Sequence, residues 1–254
     1  MNKLGLKLWN INTENYFKEA QKLYQEGLFD YVELYIVPGH LDKLLKWKEL
    51  NIPIGIHAPH FEHKMNLSKA EYFENNLKIY QEVKIYADEL QADYIVFHSG
   101  TDGHIEETVK QLQQINDNRI VVENKPFKTV PHVQGDYYVG ARIEEIKYAI
   151  DTLNCGFCLD IGHAITSANS FGINPYQHIK DFLKLKPKMF HLSDLDIGNE
   201  IDKHYNFGQG NLDFVKLFDI LPENNMITIE TTKKSSDNLD DFIEDVKFLR
   251  KIII

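Results

Sequence analysis

The stretch GFCLDIGH, residues 156–163, is an apolar run that ends in Asp160, with His163 three residues beyond. A strand that only fills a core has no use for a carboxylate at its tip, so the neighbouring runs are the natural comparison. Seven more short runs rich in Val, Ile and Phe occur: LGLKLW (4–9), YVELYI (31–36), IPIGIH (52–57), YIVFH (94–98), RIVVEN (119–124), KMFHLS (188–193) and MITIET (226–231). Their composition is that of parallel strands buried on both faces.

Amphipathic stretches alternate with these runs, among them residues 13–27, 68–91, 141–154 and 237–251. Thr13, Ser68 and Asp237 stand where helix caps belong. Eight strand–helix units in 254 residues are roughly 32 residues each, an ordinary βα size. The pattern predicts an α/β protein in which residues 1–254 form a single (β/α)8 TIM barrel, its active site at the carboxyl ends of the strands. A doubly wound open sheet would bring a Gly-rich loop after the first strand, and KLWNINTENY has none.

Six consecutive runs then place a ligand-type residue at the same end: His57, His98, Glu123, Asp160 with His163, His191 followed by Asp202 and His204, and Glu230. Carboxylates converging there repel one another unless a cation lies among them. Imidazole with carboxylate is the donor set of zinc, manganese and cobalt. Clustered ions lower the pKa of a bound water toward roughly 7, furnishing a hydroxide nucleophile, and they clamp the oxygens of a phosphoester.

Within this frame, GFCLDIGH and the pair HLSD (191–194) and IDKHYNFGQG (201–210) resemble the signatures of endonuclease IV (AP endonuclease family 2) and its xylose isomerase-like relatives. IGIHAPH, IVFHSG, IVVEN and ITIET fall where that family keeps its other ligands. The resemblance implies a zinc-dependent phosphoester hydrolase with up to three ions, Mn2+ or Co2+ being alternatives. His57, His98 and Glu123 would hold one ion. Glu123 would bridge to a second, shared with Asp160, His191 and Glu230. His163, Asp202 and His204 would hold the third. In the sugar or sugar-phosphate isomerase and epimerase branch, Glu123, Asp160, His191 and Glu230 hold a single ion, and the two glutamates also move protons. Glu123 and Glu230 are therefore the expected catalytic residues in either branch. Two departures favour the isomerase branch at the substrate surface. Pro59-His60 stands where endonuclease IV has Ser-Tyr, and the second run, with Glu33, lacks an arginine-bearing loop.

The segment from Asn124 to Gly140 is long for a βα connection and reads as a substrate lid. Lys125, Tyr137 and Tyr138 from it, with His60, are the expected substrate contacts. The net charge of −10 and only three arginines argue against a nucleic-acid partner. Two cysteines, Cys155 and Cys158, sit on opposite faces of one run, too far apart for a disulfide. With no apolar run of membrane-spanning length and no secretion signal, a cytoplasmic location is expected. His40, His104 and His178 read as solvated, and Lys233-Lys234 as solvated lysines beyond Glu230.

Overall fold

A computed structural model describes residues 2–12 and 14–252. Eight parallel strands close into a barrel: β1 (Lys3–Trp9), β2 (Tyr31–Tyr35), β3 (Ile54–His57), β4 (Ile95–Phe97), β5 (Ile120–Glu123), β6 (Gly156–Asp160), β7 (Met189–Leu192) and β8 (Met226–Ile229). Each strand pairs with its neighbours in sequence, and β8 returns to β1 through the register Lys3↔Met226 to Leu6↔Ile229. All eight expected runs are strands.

The helices are α1 (Glu14–Gln25), α2 (Leu44–Glu49), α3 (Phe73–Glu89), α4 (Ile105–Ile115), α5 (Ile143–Leu153), α6 (Ile161–Phe171), α7 (Pro175–Leu183), α8 (Phe214–Phe218) and α9 (Asp240–Ile252). In α4, Ile105, Val109, Leu112 and Ile115 recur at helical spacing and are buried. The expected caps need correction. Thr13 lies outside the described residues. Ser68 instead donates its hydroxyl to Asn66 Oδ1 and the Thr101 carbonyl, and α3 begins five residues later. Asp237 precedes α9 by three residues. His178 is buried against Phe182 rather than solvated. No helix among the described residues is long and apolar enough to cross a membrane.

Strand alternation sorts the side chains into two layers. Leu4, Leu6, Leu8, Val32, Leu34, Ile95, Phe97, Val122, Leu159, Phe190, Ile227 and Ile229 belong to the main core beneath the helices. Residues of opposite parity face the barrel interior. There Tyr31, Tyr94, Val96, Val121, Cys158 and Met189 form a second, smaller cluster. Glycine at positions 5 and 55 makes this filling possible, because a β-carbon at either would run into the Tyr31 or Tyr94 ring. Lys7, Glu33, His57, Glu123, Asp160 and His191 share the interior parity.

Candidate metal centre

The ligand-type residues converge in a cup at the carboxyl ends of the strands. His57, Glu123 and Asp160 end β3, β5 and β6, His191 lies in β7, and His98 and Glu230 directly follow β4 and β8. Register brings neighbours side by side: Asp160 pairs with His191, and Glu123 with Cys158. Asn124 fixes the tip of β6, its side chain accepting from the Asp160 N–H at 2.8 Å and donating to the Asp160 carbonyl at 3.0 Å. Asp160 in turn caps α6, Oδ1 accepting the His163 N–H at 2.7 Å.

Four imidazoles are aimed by a partner behind them. A carbonyl can only accept, so the ring nitrogen facing it carries the proton. His57 Nδ1 donates to the Ala58 carbonyl (2.8 Å), His163 Nδ1 to Asn124 (2.9 Å) and His204 Nδ1 to Glu230 (2.8 Å), leaving each Nε2 lone pair toward the cup. His191 is reversed: its Nε2 faces Glu33 at 3.0 Å, and Nδ1 faces the cup. Such backing is how metal-binding histidines are fixed in tautomer and direction. Burial lowers the pKa of both His57 and His98, which favours the neutral, ligating form.

The donors gather in overlapping sets. His57 Nε2 and His98 Nε2 lie 3.3 and 3.0 Å from Glu123 Oε2. His191 Nδ1 lies 3.4 Å from Glu123 Oε2 and 2.9 Å from Glu230 Oε2. Asp202 Oδ2 lies 3.6 Å from His163 Nε2 and 3.5 Å from His204 Nε2. Asp160 joins Glu123 and His163 in a further set. Ligands of a tetrahedral zinc at bond lengths of about 2.1 Å stand about 3.4 Å apart, so these spacings suit a shared ion. A sharper test is satisfaction. His191 Nδ1 and Asp202 Oδ2 are buried and make no hydrogen bond despite their close neighbours. Orphaned buried acceptors are costly, and a cation among them removes that cost. Burial, with Asp202 and Glu123 nearby, also raises the pKa of the Asp160 carboxyl. The donor set therefore fits divalent ions.

Beneath the cup lies a network that the run-by-run reading missed. Glu33, fully buried, accepts from Lys7 Nζ (2.6 Å), Tyr94 Oη (3.0 Å) and Thr228 Oγ1 (3.1 Å) besides facing His191. Burial opposes its ionisation, but His191 and Lys7 outweigh burial and hold it at about 2. Lys7 also reaches Glu230 Oε1 at 3.3 Å. The available signal was parity, since a charged residue flanked by leucines on a barrel strand must face the interior. Cys155 and Cys158 are both free; burial pushes the Cys158 thiol up to about 12, and Cys158 stands with Glu123 and His191 in a further donor group.

A cavity of about 870 Å³ opens above the cup. Trp9, Tyr35, Phe61 and Tyr138 supply aromatic walls, and His60, Lys125 and Lys233 line it with the ligands. The segment 124–140 covers one side. It is held by the antiparallel pair Gly100–Thr101 with Tyr138–Val139 and by Asp102, whose Oδ1 accepts the Asp136 N–H at 2.8 Å. Of the expected contacts, His60, Lys125 and Tyr138 face this cavity. Tyr137 turns away: its ring stacks on Phe127 and its hydroxyl donates to the Gly103 carbonyl. Lys233, read from sequence as solvated, is half-buried in the wall, and burial pushes its amine down to about 8.

The family profile of xylose isomerase-like TIM barrels matches residues 21–252. The chain belongs to that family. A probable endonuclease 4 of Latilactobacillus sakei is 28% identical over 199 residues, covering 70% of this chain but 63% of that protein's length. Among solved structures, a D-tagatose 3-epimerase-like protein superposes with a TM-score of 0.75 at 21% identity, covering 99% and 97% of the two chains. Endonuclease IV from Thermus thermophilus gives 0.72 at 18%, covering 99% and 98%. An IOLI protein with a bound zinc atom gives 0.62 at 17%, covering 99% and 96%. At these identities the structural likeness speaks for the fold alone.

Proposed function

We propose that the protein is a divalent-metal-dependent phosphoester hydrolase, with zinc in a multinuclear site, acting on a small phosphorylated molecule. The observation that carries this reading is the set His163–Asp202–His204, gathered beside Glu123 with Asp202 Oδ2 unpartnered. An isomerase needs one ion, and the Glu123, Asp160, His191 and Glu230 groups already provide for it. Bound divalent ions would supply an activated water at neutral pH and charge neutralisation at a phosphoryl group.

The chain's own residues divide the remaining work. Glu123, at the centre, faces the cup-side nitrogens of His57, His98 and His191 through Oε2, the oxygen common to those sets, while its Oε1 is held by His163 Nδ1 at 3.0 Å and lies 3.7 Å from Lys125 Nζ. Glu230, partly exposed and held by Lys7, faces the incoming molecule. His60 and Lys233 offer donors to phosphoryl oxygens. The cavity volume lies in the range of small-molecule sites. The net charge of −10 and the covering segment 124–140 disfavour a duplex. A cytoplasmic setting suits such a substrate.

A second reading, sugar isomerisation or epimerisation on one ion, draws on Glu123 and Glu230 standing on either side of His191 Nδ1. The experiment is to strip the protein with chelator, reload it with Zn2+, and assay a generic phosphodiester, a phosphomonoester, an abasic-site duplex and ketoses. Zinc-restored hydrolysis of a small phosphoester is the expected result. Epimerisation of a ketose without hydrolysis overturns the assignment in favour of the second reading.

A further inference from the structure

Lys125 stands inside the ligand cup rather than at its mouth. It is 4% exposed. Its Nζ lies 3.3 Å from His163 Nε2, 3.4 Å from His98 Nε2 and 3.7 Å from Glu123 Oε1. The position is built. The Lys125 N–H donates to the Gly140 carbonyl at 3.0 Å, and the Tyr138 ring lies 5.6 Å from Nζ. Neighbouring Asn124 clamps the end of β6, so the backbone from which Lys125 projects is fixed on both sides.

The consequence concerns lone pairs. His163 Nδ1 is committed to the Asn124 carbonyl, so Nε2 holds the only lone pair of that ring. That lone pair is the donor His163 would give to an ion shared with Asp202 and His204, and it is also the atom nearest Lys125 Nζ. One lone pair cannot accept from an amine and ligate a cation at once. A cationic head beside the set also repels a divalent ion there. The His57–His98–Glu123 set meets the same amine at His98 Nε2, but there the Glu123 Oε2 carboxylate stands 3.0 Å from the ring nitrogen and offsets the amine's charge, whereas Asp202 Oδ2 stands 3.6 Å from His163 Nε2.

We infer that Lys125 is a built-in competitor for the His163–Asp202–His204 set, so that the protein holds two divalent ions tightly and the third weakly. The inference rests on the metal-dependent reading above. The side chain then does part of what a third ion would do, placing positive charge where a phosphoryl oxygen would arrive, and yields the site only when it swings out.

The test is equilibrium binding of Zn2+ alone to chelator-stripped full-length protein, read by elemental analysis and by metal-dependent shift in melting temperature. Lys125→Met keeps length and removes charge; Lys125→Arg keeps charge. The native protein and Lys125→Arg are expected to hold two tight ions. Lys125→Met is expected to hold three, the affinity of the third rising at least about tenfold over native. Adding His204→Ala to Lys125→Met should remove the gained ion, which locates it. Circular dichroism of each stripped protein confirms folding, and Lys125→Gln replaces the methionine variant if that one misfolds. Equal numbers and affinities in native and Lys125→Met protein overturn the competitor role while leaving the metal reading intact. Absence of zinc from both overturns the metal reading and this inference together.

Discussion

Glu33 and His191, 158 residues apart in sequence, meet at 3.0 Å inside the barrel, and this contact turns the other ring nitrogen of His191 toward Glu123 and Glu230. The carboxylate does two things at once. It neutralises Lys7 in a place where an isolated charge would be prohibitive, and it fixes the tautomer of a ligand-type histidine.

Two variants separate those roles. Glu33→Ala leaves Lys7 buried without its closest partner and should destabilise the protein by about 3–5 kcal/mol, read as a fall in melting temperature of the stripped protein. Glu33→Gln keeps the shape and removes the charge. It should weaken Zn2+ binding by roughly 10–100-fold with a smaller loss of stability. Unchanged zinc affinity in Glu33→Gln would show that His191 needs no support.

Glu123→Gln should abolish activity, by at least about 100-fold, while circular dichroism stays native. Glu123 touches donors from four other elements, so the amide loses the bridging charge without opening a hole. An active variant would mean that the bridge has been assigned to the wrong residue.

The covering segment makes its own prediction. Replacing residues 128–136 by a short Gly-Ser link removes Val130 and His132 from the cavity wall, leaving the ligands in place. The Michaelis constant should rise by about tenfold, with zinc content unchanged. Identical catalytic constants would remove any lid function from the segment.

Acid sensitivity should come in part from a pair far from the cup. Arg119 grips Asp117 with Nε at 2.9 Å and Nη2 at 2.7 Å, and Tyr80 Oη donates at 2.7 Å. Burial opposes ionisation, yet the Arg119 and Tyr80 hydrogen bonds outweigh it and lower Asp117 from 3.8 to about 2. A group lowered on folding stabilises the native state above its unfolded pKa and loses that contribution as pH falls through the folded one. Asp117→Asn should therefore flatten the decline of stability between about pH 4 and 2. An unaltered slope, measured by denaturant titration, would show that the pair contributes nothing.

Much of this site was legible in the sequence because barrel strands present their last residues at one end. His57, Glu123 and Asp160 announce themselves as polar tips on apolar runs, and eight strand–helix units in 254 residues point to a closed barrel. Lys7 and Glu33 were harder. Each sits mid-run, and its meaning depends on partners from β4, β7 and β8 that no local pattern names. The same limit applied to the covering segment. Tyr137 and Tyr138 are adjacent, and only the pairing of Tyr138–Val139 with Gly100–Thr101 decides which ring faces the cavity. His178 shows the converse, a polar residue on a helix that packing, rather than composition, buries.

The central claim is that histidines, aspartates and glutamates from six strands share several cations. Elemental analysis of the full-length protein purified without chelator tests it most directly. Two tightly held divalent ions per chain are the expected result. One ion or none per chain would contradict the account, since His57–His98–Glu123 and His191–Glu123–Glu230 would then not be separate metal sites.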